Sequence, residues 1–370
     1  MASAQVQEIS NNDSRLQRAL LGLPMLALSG IMANAFAMGE PLPSILQKML
    51  DNSMFDWKDV KAPLLREFYG IKLLDDVFAH ITVAFAQLQF FSDERAYWHS
   101  LVFLTEFAGM YAILFLESLR PANRRTLFAF PFLLAFPAQL GGIGFLAPLY
   151  FYFFFVFTPV EKLTSGNFLL TNCPSCVAVL PTVFLTYLVP HLPSYFHQSL
   201  EARNWWNWVW QLFPIWGSVC FFVISNAMAI LFRQNTSAPP QTSPLNTVRI
   251  TVIILALINT GIWWYTMYHS TFSLPELFIP KYFSEKPQEA DIALRTILQY
   301  DYICTFGAAF LWLALHFRDL EAEGICKLRH GRTLFLVAAI GWAFGPGTLL
   351  LLAWLVREEI LAAQANDDEQ

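Results

Sequence analysis

Five carboxylates lie inside or at the ends of long apolar stretches: Asp75, Asp76, Glu106, Glu117 and Asp301. A charge held in hydrocarbon costs several kcal/mol, so such residues are functional candidates by default. Withdrawal from water favours the neutral carboxyl, which makes a Brønsted acid of it. Asp76 and His80 are four apart in Leu73-Leu74-Asp75-Asp76-Val77-Phe78-Ala79-His80 and share a helix face, with Gln87 further along it. Glu106 and Glu117 are eleven apart, which places them on one face about 16 Å apart. Asp301 is flanked by Tyr300 and Tyr302, and Thr305 and Trp312 continue its face. Each has a blander reading. Asp75 sits one turn into its stretch, where a carboxylate favours a helix N-terminus. Glu117 lies beside Arg120 and suits an interfacial salt bridge. Arg357-Glu358-Glu359 reads as a solvated helix exit.

Aromatic side chains could serve the same chemistry. Trp263 stands with Asn259 in the middle of one stretch, and Tyr150 in another. Aromatic faces stabilise cations, although such residues more often pack against lipid. Cys173 and Cys176 form a lone C-x-x-C, which is a weak signal and reads as structural. With no second pair or spaced histidines, no metal site is expected.

The elements that must position these groups are membrane spans. Of 370 residues, 56% are hydrophobic and 14% charged, against about 25% charged in soluble domains. Net charge is −5, with no basic patch for nucleic acid. Stretches of about 20 apolar residues, the length that crosses hydrocarbon, run near 19–37, 71–91, 98–116, 126–157, 174–189, 208–232, 248–268, 298–317 and 333–356. The expected fold is therefore all-α, a polytopic transmembrane helical bundle of about nine spans, or eight if the first is a cleaved signal. The fourth stretch contains Pro131, Pro137, Gly141, Gly142, Gly144 and Pro148 and is expected to be kinked, broken or re-entrant. The organisation reads as an N-terminal segment 1–38, an interfacial amphipathic loop 39–70, a catalytic bundle 71–359 and an acidic disordered tail 360–370. The piece 234–246 reads as a flexible loop. With nine single crossings, Asp75, Asp76, Glu117, Asp301 and Glu358 would converge near one mouth.

No P-loop, H-E-x-x-H or G-x-S-x-G is present. The Asp75-Asp76 pair stands alone, without a diphosphate–magnesium motif, so metal-dependent prenyl transfer is not expected.

The runs Tyr69-Gly70-Ile71-Lys72-Leu73-Leu74-Asp75-Asp76, Leu116-Glu117-Ser118-Leu119-Arg120, Gly144-Phe145-Leu146-Ala147-Pro148-Leu149-Tyr150, Leu298-Gln299-Tyr300-Asp301-Tyr302, and Phe344-Gly345-Pro346-Gly347 through Trp354 and Arg357-Glu358-Glu359 carry a resemblance. Together they resemble fungal integral-membrane terpene cyclases of meroterpenoid biosynthesis, of the ascochlorin and macrophorin type, over most of 69–359. The shorter fungal meroterpenoid cyclases are not similar, and no catalytic residue is carried over from them. The resemblance implies a non-redox isomerase of secondary metabolism, without cofactor or metal, in the endoplasmic reticulum membrane. Its substrate would be a lipophilic aromatic or polyketide head bearing a farnesyl chain, supplied by an upstream prenyltransferase and epoxidase. An acid protonates the terminal alkene or epoxide, the cation cyclises, and a base removes a proton. Asp301 and Asp76 are the first choices for proton donor. Asp75 and Glu117 are further candidates, and Glu106 and His80 would tune the acid or accept a proton. Asn259, Trp263, Tyr150, Tyr300 and Trp312 would line the substrate pocket. The competing readings are a proton-coupled carrier or efflux protein and a non-catalytic scaffold.

Overall fold

The computed structural model describes residues 13–39, 42–235, 244–283, 285–287 and 289–368. Ser14 caps the first helix, α1 (Arg15–Ala37), by a capping box with Gln17. There follow α2 (Leu42–Asp51), the hairpin β1 (Met54–Trp57) and β2 (Val60–Pro63), α3 (Lys72–Gln89) and α4 (Glu94–Ser118). Next come α5 (Phe132–Gly141), α6 (Ile143–Val156), the single turn α7 (Val160–Leu163), α8 (Cys173–Val183), α9 (Val189–Phe196) and α10 (Leu200–Gln211). The chain continues through α11 (Phe213–Asn235), α12 (Leu245–His269), α13 (Leu274–Phe278), α14 (Ala290–Ala322), α15 (His330–Phe344) and α16 (Pro346–Asp368). A π-helical turn, Phe184–Leu188, joins α8 to α9.

Six helical stretches are long and apolar enough to cross a membrane: Arg15–Ala37, Glu94–Ser118, Gly166–Phe196, Phe213–Arg233, Leu245–His269 and Asp291–Ala322. The expected nine therefore reduce to six among the described residues, for three local reasons. The stretch 71–91 forms α3, whose first turns carry Lys72, Asp75, Asp76 and His80. The stretch 126–157 breaks at Gly142, whose φ of 76° ends α5 and starts α6. The stretch 333–356 breaks at Gly345, with φ 88°, between α15 and α16. Ten residues of helix, as in α5, rise only about 15 Å, half of a bilayer's hydrocarbon.

Two further expectations change. The segment 39–70 carries regular structure: α2 buries Leu42, Leu46, Met49 and Leu50, and Phe55 and Ala62 of the hairpin are buried in a cluster with Phe78 and Trp208. Lys58 at the hairpin tip pairs with Asp291 at 2.6 Å. The acidic tail is helical through Asp368, because α16 continues past Glu359; residues 369 and 370 lie outside the described residues. Most of the loop 234–246 also lies outside them.

Helix α4 is buried along its whole apolar length and forms the axis of the bundle. A helix apolar all round belongs in such a place. In contrast, α11 and α15 turn large apolar side chains outwards, among them Phe222, Val223, Phe335 and Trp342. Apolar surface of that extent marks contact with lipid or a partner. Helix α1 is bound into the bundle by Arg18. Its guanidinium donates to Asp319 at 2.7 Å and to the carbonyls of Phe155 and Thr158 at 3.0 and 2.8 Å. A buried cation is tolerable only when its donors are so occupied.

Candidate functional site

The two helix breaks have the same construction. In Gly142-Ile143-Gly144 the first turn of α6 meets Asp301, whose Oδ1 accepts the Gly144 N–H. In Gly345-Pro346-Gly347 the first turn of α16 packs against Glu106. Helix N-termini carry unsatisfied N–H groups, which the oxygen of an acidic side chain can accept. The glycines are required by the close approach. A Cβ on Gly144 would fall 2.7 Å from the Asp301 backbone, and one on Gly347 would fall 2.6 Å from Glu106 Cγ.

Glu106 lies at the centre of the bundle. Tyr302 donates its hydroxyl to Glu106 Oε2 at 2.8 Å. Glu106 Oε1 is buried and has no hydrogen-bond partner among the described residues. Trp263 lines the same break, since a Cβ on Gly345 would meet both its ring and Oε1 of Glu106. Phe278 stacks on Trp263 with centroids 5.4 Å apart, and lies 5.3 Å from Tyr302 and 5.5 Å from His99. Phe103 lies 5.3 Å from Tyr302. Asn259, one turn before Trp263 on α12, has neither amide atom bonded among the described residues.

Ties outside the centre set the register of its walls. Asp93 caps α4 by accepting from Arg95 and Ala96 N–H, and it also holds Arg295 of α14 at 2.5 Å. That bond fixes α14 against α4, so that Tyr302 arrives opposite Glu106. Ser273 and Glu276 form a capping box on α13, and Gln299 donates to the Leu277 carbonyl at 2.8 Å. These contacts seat Phe278. Arg249 and Glu359 join α12 to α16 through paired bonds of 2.5 and 2.6 Å.

The other predicted residues lie elsewhere. Asp76 is exposed and pairs with Lys72 at 3.2 Å. His80 is exposed and bonds Gln47 at 2.8 Å. Asp75 accepts the N–H groups of Phe68 and Tyr69 at 2.9 and 2.8 Å. Burial would raise its carboxyl, but those N–H groups with those of Gly70 and Ile71 outweigh it and hold the group below the ordinary carboxylate range. Tyr300 donates to the Tyr282 carbonyl at 2.8 Å.

Glu117 is enclosed by charge. Arg120 grips both its oxygens at 2.6 and 2.9 Å, Trp354 donates to Oε1 at 2.7 Å, and Arg357 bonds the same oxygen. Arg120 also holds Glu358 at 2.7 Å, and Arg357 reaches His316 at 2.9 Å. Two guanidinium groups against two carboxylates leave the cluster balanced. Trp312 borders it, with the Arg357 guanidinium 5.0 Å from its ring, and Tyr150 packs on Phe128 and Phe154 nearby. The five acids expected at one mouth thus occupy separate places: Glu117 and Glu358 share the ion cluster, Asp301 holds the start of α6, and Asp75 and Asp76 border the α3 N-terminus.

Four residues of the centre come from outside the sequence candidates: His99, Phe103, Phe278 and Tyr302, the last noted in the sequence only as a neighbour of Asp301. His99 is seven positions before Glu106, two turns along one face of α4. That spacing is the cue the sequence carries for it. Phe278 carries no such cue, because it lies in a five-residue helix after a loop.

The CtvD domain family matches the chain over residues 17–362. Among curated proteins, the chain is 26% identical to the FAD-dependent monooxygenase verC1 of Penicillium polonicum over 356 residues, 96% of this chain and 44% of that protein. It is 27% identical to the FAD-dependent monooxygenase anuJ of Penicillium roqueforti over 305 residues, 81% of this chain and 36% of that protein. It is 28% identical to the terpene cyclase rstn5 of Aspergillus nomiae over 235 residues, 61% of this chain and 62% of that protein. The chain thus spans less than half the length of the monooxygenases it matches. No solved structure matches it.

Proposed function

The chain belongs to the CtvD-domain family, and from that premise we propose that it is a membrane-bound terpene cyclase of fungal meroterpenoid metabolism. It catalyses proton-initiated cyclisation of a farnesylated aromatic or polyketide substrate, with a terminal epoxide or alkene as the trigger. The observation that carries this reading is Glu106, a buried carboxyl with one oxygen unbonded among the described residues, held by Tyr302 and set beside the Trp263 ring. The similarity to a protein named terpene cyclase supports it.

In this reading Glu106 acts in its protonated form, and since Tyr302 donates to Oε2 the transferable proton is carried on Oε1. Glu106 gives that proton to the epoxide oxygen or terminal alkene. The C–O bond opens, or the alkene becomes a carbocation, and the next double bond closes the ring. The faces of Trp263, Phe278 and Phe103 stabilise the moving charge. Dry walls keep water from trapping it as an alcohol. Loss of a proton completes an isomerisation. Asp301 is the second candidate donor, although its Oδ1 is already engaged by Gly144.

The names of two relatives imply a flavin. A flavin dinucleotide is held by a βαβ unit whose glycine-rich turn follows a strand. Among the described residues the strands form one antiparallel hairpin. Both Gly-x-Gly turns follow helices, and the first helical turns after them are already filled by the side chains of Asp301 and Glu106, which leaves no room for a pyrophosphate. The described residues do not fit that group. We assign the flavin chemistry of those relatives to the length this chain does not match. An oxygenase and a prenyltransferase then supply the substrate, in the endoplasmic reticulum membrane.

The helix breaks favour a second reading, a proton-coupled carrier, since discontinuous helices at buried carboxylates also build transport sites. One experiment separates the two. Microsomes containing the protein are incubated with a farnesylated phenol and with its terminal epoxide. A cyclase yields an isobaric product of altered retention time. Intact substrate together with substrate-driven proton flux in proteoliposomes would assign the carrier.

A further inference from the structure

His99 is fully buried, yet neither ring nitrogen has a hydrogen-bond partner among the described residues. A buried polar group left unpaired is destabilising, and His99 has two such atoms. Its surroundings explain the isolation. The ring is walled by Phe278 at 5.5 Å, Tyr302 at 5.5 Å and Phe103 at 6.1 Å, and Tyr302 is also the residue that holds Glu106. His99 and Glu106 lie on one face of α4, two turns or about 10 Å apart, with Phe103 between them. Acid and imidazole therefore face the same aromatic strip from its two ends.

We infer that His99 is the base that ends the reaction initiated by Glu106, an assignment that rests on the cyclase reading above. With no carboxylate bonded to it, the imidazole is neutral and offers a lone pair. Glu106 delivers its proton to the epoxide oxygen, the C–O bond breaks, and ring closure moves the positive charge along the strip. The final cation loses a proton from the adjacent carbon to a His99 nitrogen, and the C–H electrons become the new double bond. After the product leaves, His99 gives its proton up to water and Glu106 takes one up, so the cycle closes with no net gain or loss of protons. The substrate class follows from the strip. A folded farnesyl chain presents its trigger group at one end of the strip and the carbon that loses the proton at the other.

The test compares the wild type with His99→Phe, which keeps a flat ring, and His99→Gln, which keeps hydrogen bonding. All are purified in detergent, checked for a monodisperse elution profile and incubated with the farnesylated phenol epoxide. The expected result is continued substrate consumption with a changed product pattern. The single wild-type isomer gives way to double-bond isomers and to a water adduct 18 mass units heavier, in both variants. The wild-type product pattern at the wild-type rate in either folded variant would overturn the assignment. Complete loss of consumption in both would also overturn it, since His99 would then be needed for initiation. No conversion by the wild type would instead remove the cyclase reading itself.

Discussion

The Tyr302 hydroxyl and Glu106 Oε2 are joined at 2.8 Å although the two residues are 196 positions apart in the chain. The bond fixes which oxygen of the carboxyl remains for a substrate. Replacing Tyr302 by Phe removes the donor and keeps the ring. Loss of one such bond is worth about 1 kcal/mol net, so initial turnover is expected to fall roughly 5-fold. The rate of isobaric product formation in microsomes measures it, and an unchanged rate would show that the phenol has no part in setting the acid.

The glycines at the helix breaks are expected to resist the smallest side chain. Gly144→Ala and Gly347→Ala place a methyl within 2.7 and 2.6 Å of Asp301 and Glu106. Such overpacking costs about 1–3 kcal/mol. Gly261→Ala, with nothing within 4 Å of the added Cβ, is the control. Melting temperatures in detergent should fall for the first two and hold or rise for the third.

In the Glu117 cluster, stability rather than turnover should change. Removing one partner of a buried ion pair strands the other charge, at a cost of about 3–5 kcal/mol. Arg357→Met and Glu117→Gln should therefore lower the melting temperature sharply, while product formation per folded molecule stays near the wild-type value. A folded Glu117→Gln protein without turnover would place Glu117 in the chemistry.

Asp75 gives a pH dependence with a definite sign. Its folded value lies below the ordinary 3.8 because of the N–H groups around it. A depressed carboxylate contributes stability above its unfolded value, and that contribution disappears as pH falls through the folded one. The difference in melting temperature between wild type and Asp75→Ala should be full at pH 7 and shrink progressively below pH 4. A difference independent of pH would mean that Asp75 contributes through packing alone.

Much of this arrangement is written in the sequence. Composition implies a helical bundle, and long apolar runs at 98–116, 248–268 and 298–317 correspond to α4, α12 and α14. The glycines and prolines of 126–157 predict a break, which falls at Gly142. The same chemistry at Gly345 lies inside a run that hydropathy reads as one continuous span. Spacing is informative only up to a point. Asp76 and His80 do share a face, but the i,i+4 rule is silent on which way that face turns, and here it turns outwards. Glu106 and Tyr302 illustrate the opposite limit. Their pairing depends on how α14 is docked on α4, to which the Asp93–Arg295 bond contributes and which no local pattern encodes.

The most direct test of the central claim is the rate at which equal amounts of folded wild-type and Glu106→Gln protein convert the farnesylated phenol epoxide to its isobaric cyclised product. Gln preserves the shape of the side chain and an oxygen for the Tyr302 hydroxyl, and lacks the transferable proton. General acid catalysis contributes about 10²–10⁴-fold, and a loss of that size is predicted, with Asp301→Asn losing less. Conversion by Glu106→Gln at the wild-type rate would contradict the account.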